Sequence, residues 1–134
     1  MTAPRAAAKN PKRKSTPPFV TRCLTLLMPL GPVVPRGMFG GWGIHLDGTM
    51  VALIAGETLF LKTDAETRDL FAAAGSEPFV YQAKSRLVET SYWRAPAESL
   101  ESSETILPWA ELAVAAACRA AAHKAGRDAT RRRR

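Results

Sequence analysis

The segment from residue 36 to residue 62 constrains this chain most, because turn signals fall every few residues and leave no room for a helix. Ile44-His45-Leu46 runs into Asp47-Gly48 and is followed by Met50 to Ala55, two β-runs separated by the Asp-Gly pair that marks a hairpin. A second turn at Gly56-Glu57 leads into Thr58-Leu59-Phe60-Leu61-Lys62. Gly40-Gly41 interrupts what otherwise reads as one long first strand from about Arg36 to Leu46, and glycine inside a strand usually marks a bulge. Three antiparallel strands are predicted here.

Helical patterns flank this block. Ser15 or Thr16 offers an N-cap and Pro17-Pro18 suits a first turn, after which Val20, Cys23, Leu24 and Leu27 recur at helical spacing until Pro29, Gly31 and Pro32 stop the helix near Met28. Asp64 is the predicted N-cap of a helix over Ala65 to Ala74, with Leu70, Phe71 and Ala74 on one face and Gly75 as a left-handed stop. Strands are expected at Phe79 to Gln82 and Leu87 to Arg94, joined by the polar turn Ala83-Lys84-Ser85-Arg86. In the second of these, Val88, Thr90, Tyr92 and Arg94 face one way and Leu87, Glu89, Ser91 and Trp93 the other, with neither face cleanly apolar. A short helical turn near Pro96 to Glu101 precedes a long helix from about Glu104 to Lys124, whose apolar stripe reads Trp109, Leu112, Ala113, Ala116 and Ala120. The order helix, three strands, helix, two strands, helix predicts a two-layer α+β fold with an antiparallel sheet.

Charge divides the 134 residues into three parts. Residues 1–18 carry Arg5, Lys9, Lys12, Arg13 and Lys14 with no acid, giving +5. Residues 126–134 carry Arg127 and four arginines from 131 to 134 against Asp128, giving +4. The net charge of +7 therefore leaves −2 for the body, residues 19–125, so the basicity sits in the ends, which are expected to be flexible. The first segment, rich in Pro, Ala and Lys/Arg and without an aromatic residue, is read as disordered. Its basic start followed by the uncharged run Cys23 to Pro35 loosely imitates a secretory leader, but prolines interrupt the run and Arg36-Gly37-Met38 is no cleavage site. No stretch is expected to reach the roughly 20 apolar residues of a membrane span.

Chemistry-bearing residues are sparse. Cys23 and Cys118 lie far apart without a CxxC partner and are read as buried, reduced thiols. Gly40-Gly41-Trp42-Gly43 leads into a strand, whereas a phosphate-binding loop opens a helix. His45 and Asp47 share a strand face as two metal ligands at most, and His123 is remote, so no metal site and no cofactor are expected. Ser91 and Cys23 are nucleophile types with no base nearby in the sequence. Trp42, Tyr92 and Trp93 invite comparison with a base-stacking platform, but Trp93 and Trp109 are expected to pack between the sheet and the last helix.

Taken together, Met38-Phe39-Gly40-Gly41-Trp42-Gly43-Ile44 with Leu46-Asp47-Gly48, then Leu59-Phe60-Leu61-Lys62, Gly75-Ser76-Glu77-Pro78-Phe79, Ser91-Tyr92-Trp93-Arg94-Ala95-Pro96 and Leu107-Pro108-Trp109-Ala110 resemble the N-terminal domain of TfoX/Sxy proteins over about Val20 to Ala122. The resemblance implies an α+β domain similar to secretion-chaperone-like folds and a role in regulating natural competence. Full-length members add a C-terminal helical domain and act with the catabolite activator protein at promoters. Only ten residues follow Lys124 here, so a stand-alone N-terminal domain is expected.

The expected function is a non-enzymatic, cytoplasmic regulatory domain that binds a protein, such as a transcription factor or polymerase component, and forms a homodimer. Arg36, Met38, Phe39, Trp42 and Arg94 are the expected partner-binding residues, around an exposed apolar patch from Met38 to Trp42. For Arg36 and Arg94 the alternative is a salt bridge to Glu77 or Glu89. The competing function is non-specific DNA or RNA binding through Lys12, Arg13, Lys14, Arg131, Arg132, Arg133 and Arg134.

Overall fold

A computed structural model describes residues 16–38 and 40–132, with side chains through residue 127. Helix α1 spans Pro18–Leu27 and runs into a 3₁₀ turn, Met28–Leu30. Four strands follow: β1 (Val33–Met38), β2 (Gly41–Leu46), β3 (Thr49–Ala55) and β4 (Thr58–Lys62). Then come α2 (Arg68–Ala73), the hairpin β5 (Pro78–Ala83) and β6 (Arg86–Arg94), a 3₁₀ segment at Ala97–Glu101, and α3 (Ser103–Arg132). The six strands form one antiparallel sheet in the order β1-β2-β3-β4-β6-β5. The two-layer α+β prediction holds.

Where three strands were predicted after the first helix, the structure has four. The chain reverses between Met38 and Gly41, which pair across the turn, with Gly40 at φ +77°. Gly40 is thus a turn residue and not a bulge. The missed strand contains Pro35, whose lack of an N–H is tolerable because β1 lies at the sheet edge. The real irregularity falls one strand further on. Ile44 pairs with Ala52 but His45 pairs with Met50, leaving Val51 as an extra residue that turns into the core.

The register assigns the inner face. Pro35, Ile44, Ala52, Leu61, Trp93 and Pro78 lie opposite one another across all six strands. On this row Ile44, Ala52, Leu61 and Trp93 pack with Val20, Cys23 and Leu27 of α1, Phe71 of α2, and Ile106, Ala110, Ala113 and Ala117 of α3. Trp93 is between sheet and helix as predicted. Trp109 is only half-buried, at the margin of the core, where its ring meets Phe71 edge-on with centroids 4.9 Å apart.

Several predicted details shift. The N-cap of α1 is Pro17 with no side-chain cap; Thr16 does not cap, and Ser15 lies outside the described residues. Regular helix in α2 starts at Arg68 because Asp64 and Thr67 first close a turn on one another, and of its predicted face only Phe71 is buried while Leu70 and Ala74 are exposed. Gly75, at φ +85°, does end it. The inner stripe of α3 is Ile106, Ala110, Ala113 and Ala117, so the predicted Trp109 and Leu112 flank it and Ala120 is exposed.

Ser102 and Thr105 cap α3 reciprocally, each backbone N–H bonding the other's hydroxyl, at 3.0 and 3.2 Å. The helix continues to Arg132, so residues 126–132 are helical where a flexible basic end was expected; the alanine-rich sequence favours this. By length and composition Ser103–Arg127, at mean hydropathy 1.2, also meets the requirement for a membrane-crossing helix, contrary to expectation. Its inner stripe lies in the core against the sheet.

Candidate interaction face

The opposite face of the sheet carries the row Arg36, Gly43, Leu53, Phe60 and Arg94, again fixed by strand pairing. Leu53 and Phe60 are each 9% exposed although neither belongs to the helix-covered core. Phe60 is shielded from within the sheet: the Phe79 ring tilts against it at 5.0 Å, and Tyr81 stacks beyond Phe79 at 6.3 Å. An apolar centre is therefore flanked on both sides by an exposed arginine.

Arg94 reaches Glu77 at 3.8 Å, but with both side chains exposed to water this pair is weak and leaves the guanidinium available. The backbone holds it firmly in place, since the Arg94 N–H donates to the Glu77 carbonyl at 2.9 Å and the Ser76 hydroxyl donates to the Arg94 carbonyl. Arg36 has no ion pair among the described residues. Exposed Val34 lies two residues from Arg36 along the edge strand, and Val80, Tyr81 and Leu87 are exposed on the β5–β6 hairpin.

Of the residues predicted to bind a partner, Arg36, Met38 and Arg94 share this outer face. Met38 is half-buried, its sulfur lying over Gly43. Trp42 is on the inner face opposite Ile54, half-buried and packed against the core. Phe39, Lys12, Arg13, Lys14, Arg133 and Arg134 fall outside the described residues, while Arg131 and Arg132 lie on the backbone of α3. Sequence reasoning missed Leu53, Phe60 and Phe79. The alternation of Phe60 against inward Leu59 and Leu61 was the available signal.

The two cysteines and Ser91 have unequal surroundings. Cys23 is fully buried, and burial pushes its thiol up to about 11, which keeps it protonated and unreactive. Cys118 is exposed, unlike the buried thiol expected. Ser91 does meet a basic side chain that the sequence did not suggest: Lys62 Nζ donates to its hydroxyl at 2.7 Å and sits 5.1 Å from the centre of the Tyr92 ring. Burial lowers the Lys62 pKa, with Asp64 opposing the shift. The lysine acts here as a donor that ties β4 to β6.

A match to the TfoX N-terminal domain model extends over residues 25–117. The chain belongs to the TfoX N-terminal domain family. No match is found among curated proteins. The matched segment of this TfoX N-terminal domain runs from within α1 to Ala117 and so includes every strand, the whole inner row and both outer-face arginines.

Proposed function

We propose that this TfoX N-terminal domain is a non-enzymatic regulator that works by binding protein through the outer face of its sheet, in the control of transcription and, by family, of natural competence. The row Arg36–Gly43–Leu53–Phe60–Arg94 carries the reading. An apolar centre rimmed by two cations suits a partner that offers an apolar anchor between acidic groups, as a cytoplasmic transcription factor or polymerase component would, whereas two copies of the chain meeting through this row would set arginine against arginine.

The test is the double variant Arg36→Glu/Arg94→Glu, expressed at native level in place of the original gene. Regulation through this face requires it to reproduce the transcript changes of a deletion strain while remaining folded. Wild-type transcripts in the variant would remove the face from the mechanism. Light scattering on both proteins tests the expected homodimer separately, since a dimer has twice the 14.5 kDa chain mass.

A second reading rests on α3, whose helix continues through Arg127 to Arg132 and so places arginines on a helical extension of the domain. This favours a supporting contact with nucleic acid phosphates.

A further inference from the structure

Gly43 is buried beneath three side chains from three strands. A Cβ at Gly43 would lie 2.7 Å from Met38 Sδ of β1, 3.1 Å from Met50 Sδ of β3 and 3.3 Å from His45 Cε1 of β2. The absent side chain thus leaves a point on which two thioether sulfurs and the edge of an imidazole converge. The bulge at Val51 creates this arrangement, because an unbroken register would set Val51 opposite His45 where Met50 now stands. His45 Nδ1, bonded to that Cε1, is buried and has no hydrogen-bond partner. A ring nitrogen left so incurs a desolvation penalty that an apolar cluster cannot offset.

We propose that Met38, Met50 and His45 form a binding site for a soft monovalent cation, copper(I) in the cell and silver(I) as its redox-inert substitute. Thioether sulfur selects copper(I) over harder ions, and imidazole supplies a nitrogen ligand compatible with it. A site with two neutral sulfurs and one neutral nitrogen adds no negative charge, which suits a singly charged ion and disfavours zinc, whose sites use thiolate, imidazole and carboxylate. Among the described residues no three His, Cys, Asp or Glu side chains come together to compete for a divalent ion. The site lies in the outer-face row at Gly43, and strand register fixes its three side chains whichever partner that face takes.

The experiment uses full-length chain with Cys118→Ser, which removes the exposed thiol, and ¹³C-labelled methionine methyls. Silver nitrate is added in chloride-free buffer. Of the four methionines, the Met38 and Met50 methyl signals and the His45 ring should shift and saturate at one silver per chain, while Met1 and Met28 stay put. Leucine keeps the apolar volume, so Met38→Leu/Met50→Leu should fold and lose at least tenfold in silver affinity. Unmoved Met38 and Met50 signals, or equal silver uptake by the leucine variant through Cys23, overturn the proposal. The methyl readout is taken on the unmutated site, so it decides the question even if the leucine variant fails to fold.

Discussion

Asp64 joins the turn before α2 to the long helix with one carboxylate. Its Oδ1 accepts the backbone N–H groups of Glu66 and Thr67 at 3.0 and 3.2 Å, and the Arg119 guanidinium donates to both oxygens, at 2.6 and 3.1 Å. The hydrogen bond from Arg119 is the main cause that lowers the Asp64 pKa, partly opposed by burial and aided by the two N–H groups. Asp64→Ala should therefore destabilise by about 1 kcal/mol through loss of the turn cap alone. The pH dependence has a fixed sign. Because the folded pKa lies below the unfolded one, the contribution is complete above about pH 4 and disappears as pH falls through the depressed folded value. Urea unfolding of wild type and variant should show a constant gap between pH 5 and 7 that closes only in more acidic solution. A gap that widens as the solution becomes more acidic would contradict this role.

At the scale of elements, Gly40 and Gly41 are neighbours with different requirements. Gly40 needs a positive φ, whereas a Cβ on Gly41 would run into the Ile54 carbonyl oxygen, a backbone atom that cannot rotate aside. Gly41→Ala should thus cost about 1–3 kcal/mol, as overpacking does, and exceed the cost of Gly40→Ala, about 1 kcal/mol, in thermal or urea unfolding. The reverse order would mean that β2 and β3 separate readily. The Asp47-Gly48 and Gly56-Glu57 turns were legible in the sequence because turn chemistry is local to the residues that carry it. β1 was not legible as a strand of its own, and its residues from Arg36 were read into one long strand with β2, since a strand containing Pro35 is acceptable only at an edge and edges are defined by the assembled sheet. The phase of the α3 stripe was equally hidden, because alanines on every side of a helix carry little hydrophobic contrast and the chain chose the phase that lets Ile106 fill the core. Arg36, Met38 and Arg94 could be named from their motifs, but their common face with Leu53, Phe60 and Met50 depends on strand register and on the bulge at Val51, which no local pattern announces.

For the whole molecule, charge is partitioned along the chain: +5 in residues 1–18, +4 in residues 126–134 and −2 between them. The body should repel phosphate overall, so any DNA or RNA binding is expected to be carried by the ends, independent of sequence and strongly dependent on salt. Each phosphate neutralised on duplex DNA contributes about −0.9 to the slope of log K against log salt, through counterion release. With four to five contacts at each end, removing residues 1–14 should lessen the magnitude of the slope by about 4, and removing residues 127–134 by a similar amount. The two ends need not be equivalent, because the C-terminal arginines begin on the helical backbone of α3, where a cationic last turn also complements the helix dipole. Deleting residues 127–134 is therefore expected to lower thermal stability slightly as well as reduce binding, a coupling that separates a helical extension from a loose arm. The measurement is a salt titration of duplex binding for the intact chain, each truncation and residues 19–125 alone. If residues 19–125 bind as tightly as the intact chain, the charge partition fails as an explanation, and the outer face around Arg36, Arg86 and Arg94 must contact the phosphates.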